Sequence, residues 1–132
     1  MKTIKRVLRP QRLRQVPAQF SWVDQRLVQE HFIERCQIHA LALYLFVVTV
    51  ADAQGLSYYS DATLMQRLHL SNPALIAARQ QLIGLELIAY EAPIYQVLAL
   101  PAHGPTPAVP ADLANAPQHL ALLLDQMGLR RD

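Results

Sequence analysis

The chain has 132 residues, 52% of them hydrophobic and 17% charged, which suffices for one compact domain plus tails and argues against global disorder. Its longest apolar run, LALYLFVVTVA at 41–51, is shorter than the roughly 18 residues a membrane helix requires, and one cysteine, Cys36, excludes an internal disulfide framework and suits a reducing cytoplasm. The net charge of +2 hides an asymmetry: Lys2, Lys5, Arg6, Arg9, Arg12 and Arg14 are half of the 12 Lys and Arg, whereas residues 15–132 carry six cations against ten acids.

Residues 1–19 read as a basic, extended arm. They contain no continuous apolar stretch or small-residue cleavage site, so no secretory signal is expected. Pro10 and Pro17 interrupt any helix, and Ile4, Val7, Leu8 and Leu13 are interleaved with the cations. A domain follows over 20–100. Ser21, with Asp24 three residues on, is the expected cap of a helix reaching about Glu34, with Val23, Leu27, Val28 and His31 or Phe32 as its buried stripe and Trp22 anchoring it.

A second helix is predicted over 37–53, apolar nearly all round and therefore central, and stopped by Gly55. Residues 56–59 are strand-like. Ser60 or Asp61 caps the next helix, whose apolar positions are Leu64, Met65 and Leu68. Leu70 and Ser71 form a break, Asn72 caps, and Pro73 opens a helix running to about Leu85. Residues 88–90 and 94–100 are β-prone runs around Glu91, Ala92 and Pro93, the pattern of a hairpin. Residues 101–117 hold five of the nine prolines and read as a linker. The segment 118–132 contains a short amphipathic helix, QHLALLLDQMGL, with Leu120, Leu123, Leu124 and Met127 on one side. The predicted class is mainly α with a small β-hairpin.

Helix, short strand, two helices around a tight break, and hairpin follow one another over 36–100. In that order, and in ALALYLFVVTVADAQGLSYYSDATLMQRLHLS, the chain resembles the winged helix-turn-helix superfamily. The likeness is to N-terminal domains of phage and plasmid replication-initiation or replisome-organiser proteins, and to bacterial winged-helix regulators. Leu64, Leu68, Leu70, Ser71, Leu75, Ala78, Leu82, Leu87 and Ile88 fall where the family places core and turn residues. The resemblance implies a non-enzymatic protein that binds double-stranded DNA, in transcription control or in replication and mobile-element DNA handling, with the helix after the break facing the major groove. Glu86 stands where the family commonly has a glycine, so the helix is expected to end there without a left-handed turn.

At about 100° per residue, Leu75, Ala78, Leu82 and Leu85 form the buried face of that helix, and Ala77, Gln80, Gln81 and Gly84 face outward. Arg79 lies at the edge of the apolar sector with its stem along the core. Asn72, Gln80 and Gln81 can pair with adenine, and Ala74 or Ala77 can touch a thymine methyl. Arg67 is a flanking phosphate contact. No cation stands on the outward face or in the hairpin turn, and phosphate neutralisation supplies much of DNA affinity. The expected remedy is the arm, with Arg6, Arg9, Arg12 and Arg14 on the backbone or in the minor groove.

Other chemistry is less well supplied. His31, Cys36 and His39 lack the fourth ligand of a structural zinc site, so neither a metal nor a cofactor is expected. No phosphate-binding glycine loop, HExxH or nucleophile elbow is present, and an enzyme is not expected. Tyr58, Tyr59, Tyr90 and Tyr95 suit half-buried strands better than base stacking. The rival reading is a protein-assembly module on a winged-helix scaffold. In either reading Leu120, Leu123, Leu124 and Met127 are expected to bind a partner protein or a second copy, since an apolar-faced helix on a proline-rich tether suits docking; the alternative is that the helix folds back onto its own domain.

Overall fold

A computed structural model of the protein describes residues 3–101; Met1, Lys2 and residues 102–132 lie outside it, and with them Leu120, Leu123, Leu124 and Met127. The described residues form a helix-rich unit with a small antiparallel sheet. Helix α1 is Arg26–Gln29, α2 Ile38–Val50, α3 Asp61–Leu68 and α4 Asn72–Gly84; strands are β1 Leu56–Tyr58, β2 Ile88–Glu91 and β3 Ile94–Val97. No helix among the described residues is long and apolar enough to cross a membrane.

The core is built from three helices and the sheet. Leu43 and Val47 of α2, Leu64 of α3, and Leu75 and Leu82 of α4 meet Leu87, Ile88 and Tyr95, all fully buried. The hairpin expected over 88–100 forms with Glu91 opposite Ile94 and Ile88 opposite Val97. The 56–58 strand pairs with the same β3, Ser57 opposite Tyr95, so the strand order is β1-β3-β2. This pairing ties the segment before α3 to the one after α4.

The first helix departs from expectation. Instead of running to Glu34 it stops after Gln29, His31 turns left-handed (φ 64°), and a 3-10 turn at Ile33–Arg35 follows. Leu27 and Phe32 are five residues apart, which in one helix would point them about 140° away from each other. The break at His31 lets both enter the core, and leaves Val23 and Val28 exposed. Ser21 does not cap; its hydroxyl donates to the Thr49 carbonyl, and Asp24 accepts from the Arg26 amide. Trp22 is 74% exposed and does not enter the core among the described residues, contrary to its expected anchoring role.

Three further boundaries move. Helix α2 ends at Val50, and Gly55 (φ 82°) serves the following turn: a Cβ there would lie 2.8 Å from the Val97 carbonyl oxygen, where β1 closes on β3. Helix α2 is also less central than its composition suggests, since Ile38 and Leu45 face outward. Ser71, not Asn72, caps α4: its hydroxyl accepts from the Ala74 amide, and Asn72 becomes the first helical residue. Finally, Glu86 takes the left-handed turn (φ 61°), with the Glu86 amide on the Ile83 carbonyl and the Leu87 amide on the Leu82 carbonyl. That pair of bonds closes a helix in the way a C-terminal glycine usually permits. Here a glutamate is held there because Leu85 and Leu87 on either side are buried.

Candidate nucleic-acid interface

Helices α3 and α4 are joined by His69 (φ 56°), Leu70 and Ser71. Ser60 caps α3, its hydroxyl accepting from the Thr63 amide. Asp61 is thereby free of capping duty and reaches across to α4. Its carboxylate accepts from the Arg79 guanidinium at 2.9 and 3.4 Å, and Arg79 also donates to the Tyr95 hydroxyl at 2.8 Å. The guanidinium lies 4.3 Å from the centroid of the Tyr90 ring, within cation–π range.

Arg79 is therefore not at the edge of the core but in it, 8% exposed, tying α3, α4, β2 and β3 to one another. Burial works against its charge, but the Asp61 carboxylate and the Tyr95 hydroxyl outweigh it and hold the guanidinium above its ordinary pKa. Burial raises the Tyr95 phenol, an effect the Arg79 charge partly offsets. The sequence carried a signal for this group: an arginine beside an apolar sector, with an aspartate in the first turn of the preceding helix.

The outward side of α4 presents Asn72, Pro73, Ile76, Ala77, Gln80 and Gly84, all exposed. Two residues expected there are elsewhere. Ala74 is half-buried against the core, because at about 100° per residue it stands only about 40° from Ala78 on the buried side. Gln81 is half-buried and its side-chain oxygen accepts from the Gln37 amide at 2.7 Å, at the start of α2. Of the expected base readers, Asn72, Ala77 and Gln80 remain on the exposed face, Asn72 and Gln80 with polar side chains. Tyr58 is exposed as well, opposite Ile94 near the hairpin turn, whereas Tyr95 is core.

The cations divide sharply. Lys5, Arg6, Arg9, Arg12 and Arg14 lie on an exposed segment whose only regular structure is a 3-10 turn at Pro10–Arg12. Among the described residues none of the five has an acid within salt-bridge distance. Within 20–100, four arginines face seven acids. Arg26 pairs with Asp24 at 2.9 Å, Arg79 is buried, and Arg67, although exposed, sits 5.5 Å over the Phe46 ring. The region is thus net acidic.

Among the described residues no three His, Cys, Asp or Glu side chains form a group that could hold a metal ion. His31 donates its Nδ1–H to the Glu34 carboxylate at 2.8 Å, and burial pushes the Cys36 thiol up, away from an activated nucleophile. Comparisons with protein-family models, with curated proteins and with solved structures return no match.

Proposed function

We propose that the chain is a winged helix-turn-helix protein that binds double-stranded DNA without catalysing a reaction, in the cytoplasm, in transcription control or in replication and mobile-element DNA handling. The observation that carries this reading is the partition of charge: five exposed arm cations with no acidic partner, beside a helix pair whose outer face offers Asn72 and Gln80. The element order α2-β1-α3-α4-β2-β3, with β1 added to the hairpin, supports α4 as the groove helix and the β2–β3 turn as the wing. In this reading Arg6, Arg9, Arg12 and Arg14 hold phosphates or the minor groove, Arg67 flanks, and Asn72 and Gln80 reach base edges.

Fluorescence anisotropy with duplex DNA tests it. The variant Arg6→Gln/Arg9→Gln/Arg12→Gln/Arg14→Gln removes four exposed charges without touching the core. It should flatten the dependence of log affinity on log salt by about 3 to 4. Equal affinity and equal slope for both proteins would remove the proposal.

One observation favours the rival, a protein-assembly module on the same scaffold. Ile38 and Leu45 of α2 are 80% and 62% exposed, more than a helix needs to show to water.

A further inference from the structure

Ile38 and Leu45 lie two turns apart along one side of α2, and no residue among 3–101 covers them. Beside Leu45 a groove of about 130 Å³ opens, lined by Val23, Ile33, Cys36, Leu41, Tyr44 and Leu45. It is close in size to cavities that accept a benzene ring, so it has room for a leucine side chain. Apolar surface grouped in this way usually has an occupant.

We propose that residues 118–129 of the same chain cover this groove as an amphipathic helix. Leu120, Leu123, Leu124 and Met127 stand at i, i+3, i+4 and i+7, the anchor spacing of a helix laid in an apolar groove. The described chain ends next to the groove: Leu98, Ala99 and Leu100 share a larger cleft of about 710 Å³ with Tyr44 and Val48, and both of those residues also line the groove. Sixteen residues, 102–117, separate Pro101 from the segment. A chain of that length reaches at most about 55 Å when extended, more than the width of a domain whose radius of gyration is about 13 Å. Tethering over such a span gives an effective concentration on the order of millimolar, which favours the chain's own tail over a second copy or a separate protein. Coverage by the tail also accounts for the apolar face without an assembly partner.

Cys36 reports on the groove directly, because it is the only cysteine and lines the wall. In the full-length protein its reaction with a thiol reagent such as DTNB should be slow. Leu123→Asp/Leu124→Asp should speed it about tenfold if the tail is docked nine-tenths of the time. Leu45→Asp, on an exposed position of the groove itself, should do the same, with the far-UV circular dichroism of 3–101 retained. In a second experiment, at least one of Leu120→Cys, Leu123→Cys, Leu124→Cys and Met127→Cys should form an intrachain disulfide with Cys36, running as a monomer on a non-reducing gel. An unchanged labelling rate in Leu123→Asp/Leu124→Asp would overturn the proposal. So would disulfide-linked dimers as the product, which would assign the groove to a second copy.

Discussion

Replacing Arg79 by methionine should destabilise the protein more than any other change of an arginine. Methionine retains most of the stem that packs on the core, so the loss falls on the head group. The Tyr95 hydroxyl, in a fully buried residue, loses its hydrogen bond, at a cost of about 1 to 2 kcal/mol. The contact with the Tyr90 ring contributes about 1 kcal/mol. The Asp61 pair is worth only about 0.5 to 1 kcal/mol, because the Asp61 side chain is 42% exposed and water screens it. The sum is about 3 kcal/mol, a melting temperature lower by roughly 10 to 20 °C for a domain of about 100 residues. Urea titration followed by far-UV circular dichroism measures it. Tyr95→Phe supplies the control: it should cost about 1 kcal/mol in the parent protein but nothing, or less than nothing, beside Arg79→Met, where the hydroxyl it removes is already unpartnered. Equal costs for Tyr95→Phe in the two backgrounds would refute the coupling through Arg79.

Glu86→Gly should stabilise by about 1 kcal/mol by relieving the left-handed backbone, whereas Glu86→Ala, which keeps a Cβ, should not; thermal melts of the pair decide it. Gly55→Ala should cost at least about 2 kcal/mol, since it combines a positive φ with a Cβ 2.8 Å from the Val97 carbonyl oxygen, and urea midpoints would show it. Burial raises the Tyr95 phenol in the folded state, so its contribution to stability is whole below the ordinary tyrosine pKa of about 10 and is lost as pH rises through the raised value. Unfolding titrations between pH 8 and about 11 should therefore show alkaline destabilisation, smaller in Tyr95→Phe, and identical profiles would exclude that residue as the cause. Gln80→Lys places a cation on the exposed face of α4 and should steepen the salt dependence of duplex binding by about 0.9. No change in slope would mean that α4 does not approach the phosphates.

Most of the helices and the hairpin were legible in the sequence because hydrophobic spacing and caps are local. Leu64 and Leu68, or Leu75, Ala78 and Leu82, declare a helix without reference to anything else. What was not legible depended on the rest of the fold. The break at His31 follows from the need to bury both Leu27 and Phe32, which no local pattern contains. The left-handed Glu86 is imposed by burial of Leu85 and Leu87, against the preference of its own residue type. The pairing of β1 with β3 is a contact between segments some forty residues apart. For the candidate interface, helical geometry separated Leu75 from Gln80 and equally places Ala74 beside Ala78 on the buried side, whereas Gln81 is occupied by a neighbour 44 residues away, which no local pattern contains.

These displacements bear on where affinity for a polyanion can reside. Counting cations along 20–100 suggests four that could meet phosphates, but folding removes half of them. Arg26 is held by Asp24 and Arg79 is enclosed with Asp61 and Tyr95, which leaves Arg35 and Arg67, the latter exposed over the Phe46 ring. Seven acids remain in the same region, so its field opposes DNA at long range. Arg79 shows why this is not accidental: the charge that would serve phosphate binding on α4 instead fixes α3, α4 and the hairpin in one arrangement. If α4 reads DNA as proposed, its neutral outer face would depend on a separate source of positive charge, and among the described residues the arm is where unpaired cations are concentrated. Sequence preference and electrostatic affinity would accordingly sit on different parts of the chain. Neutralising the arm should weaken binding to all duplexes alike, while uncharged substitutions at Asn72 and Gln80, such as alanine, should alter the ranking of duplexes with little change in salt dependence.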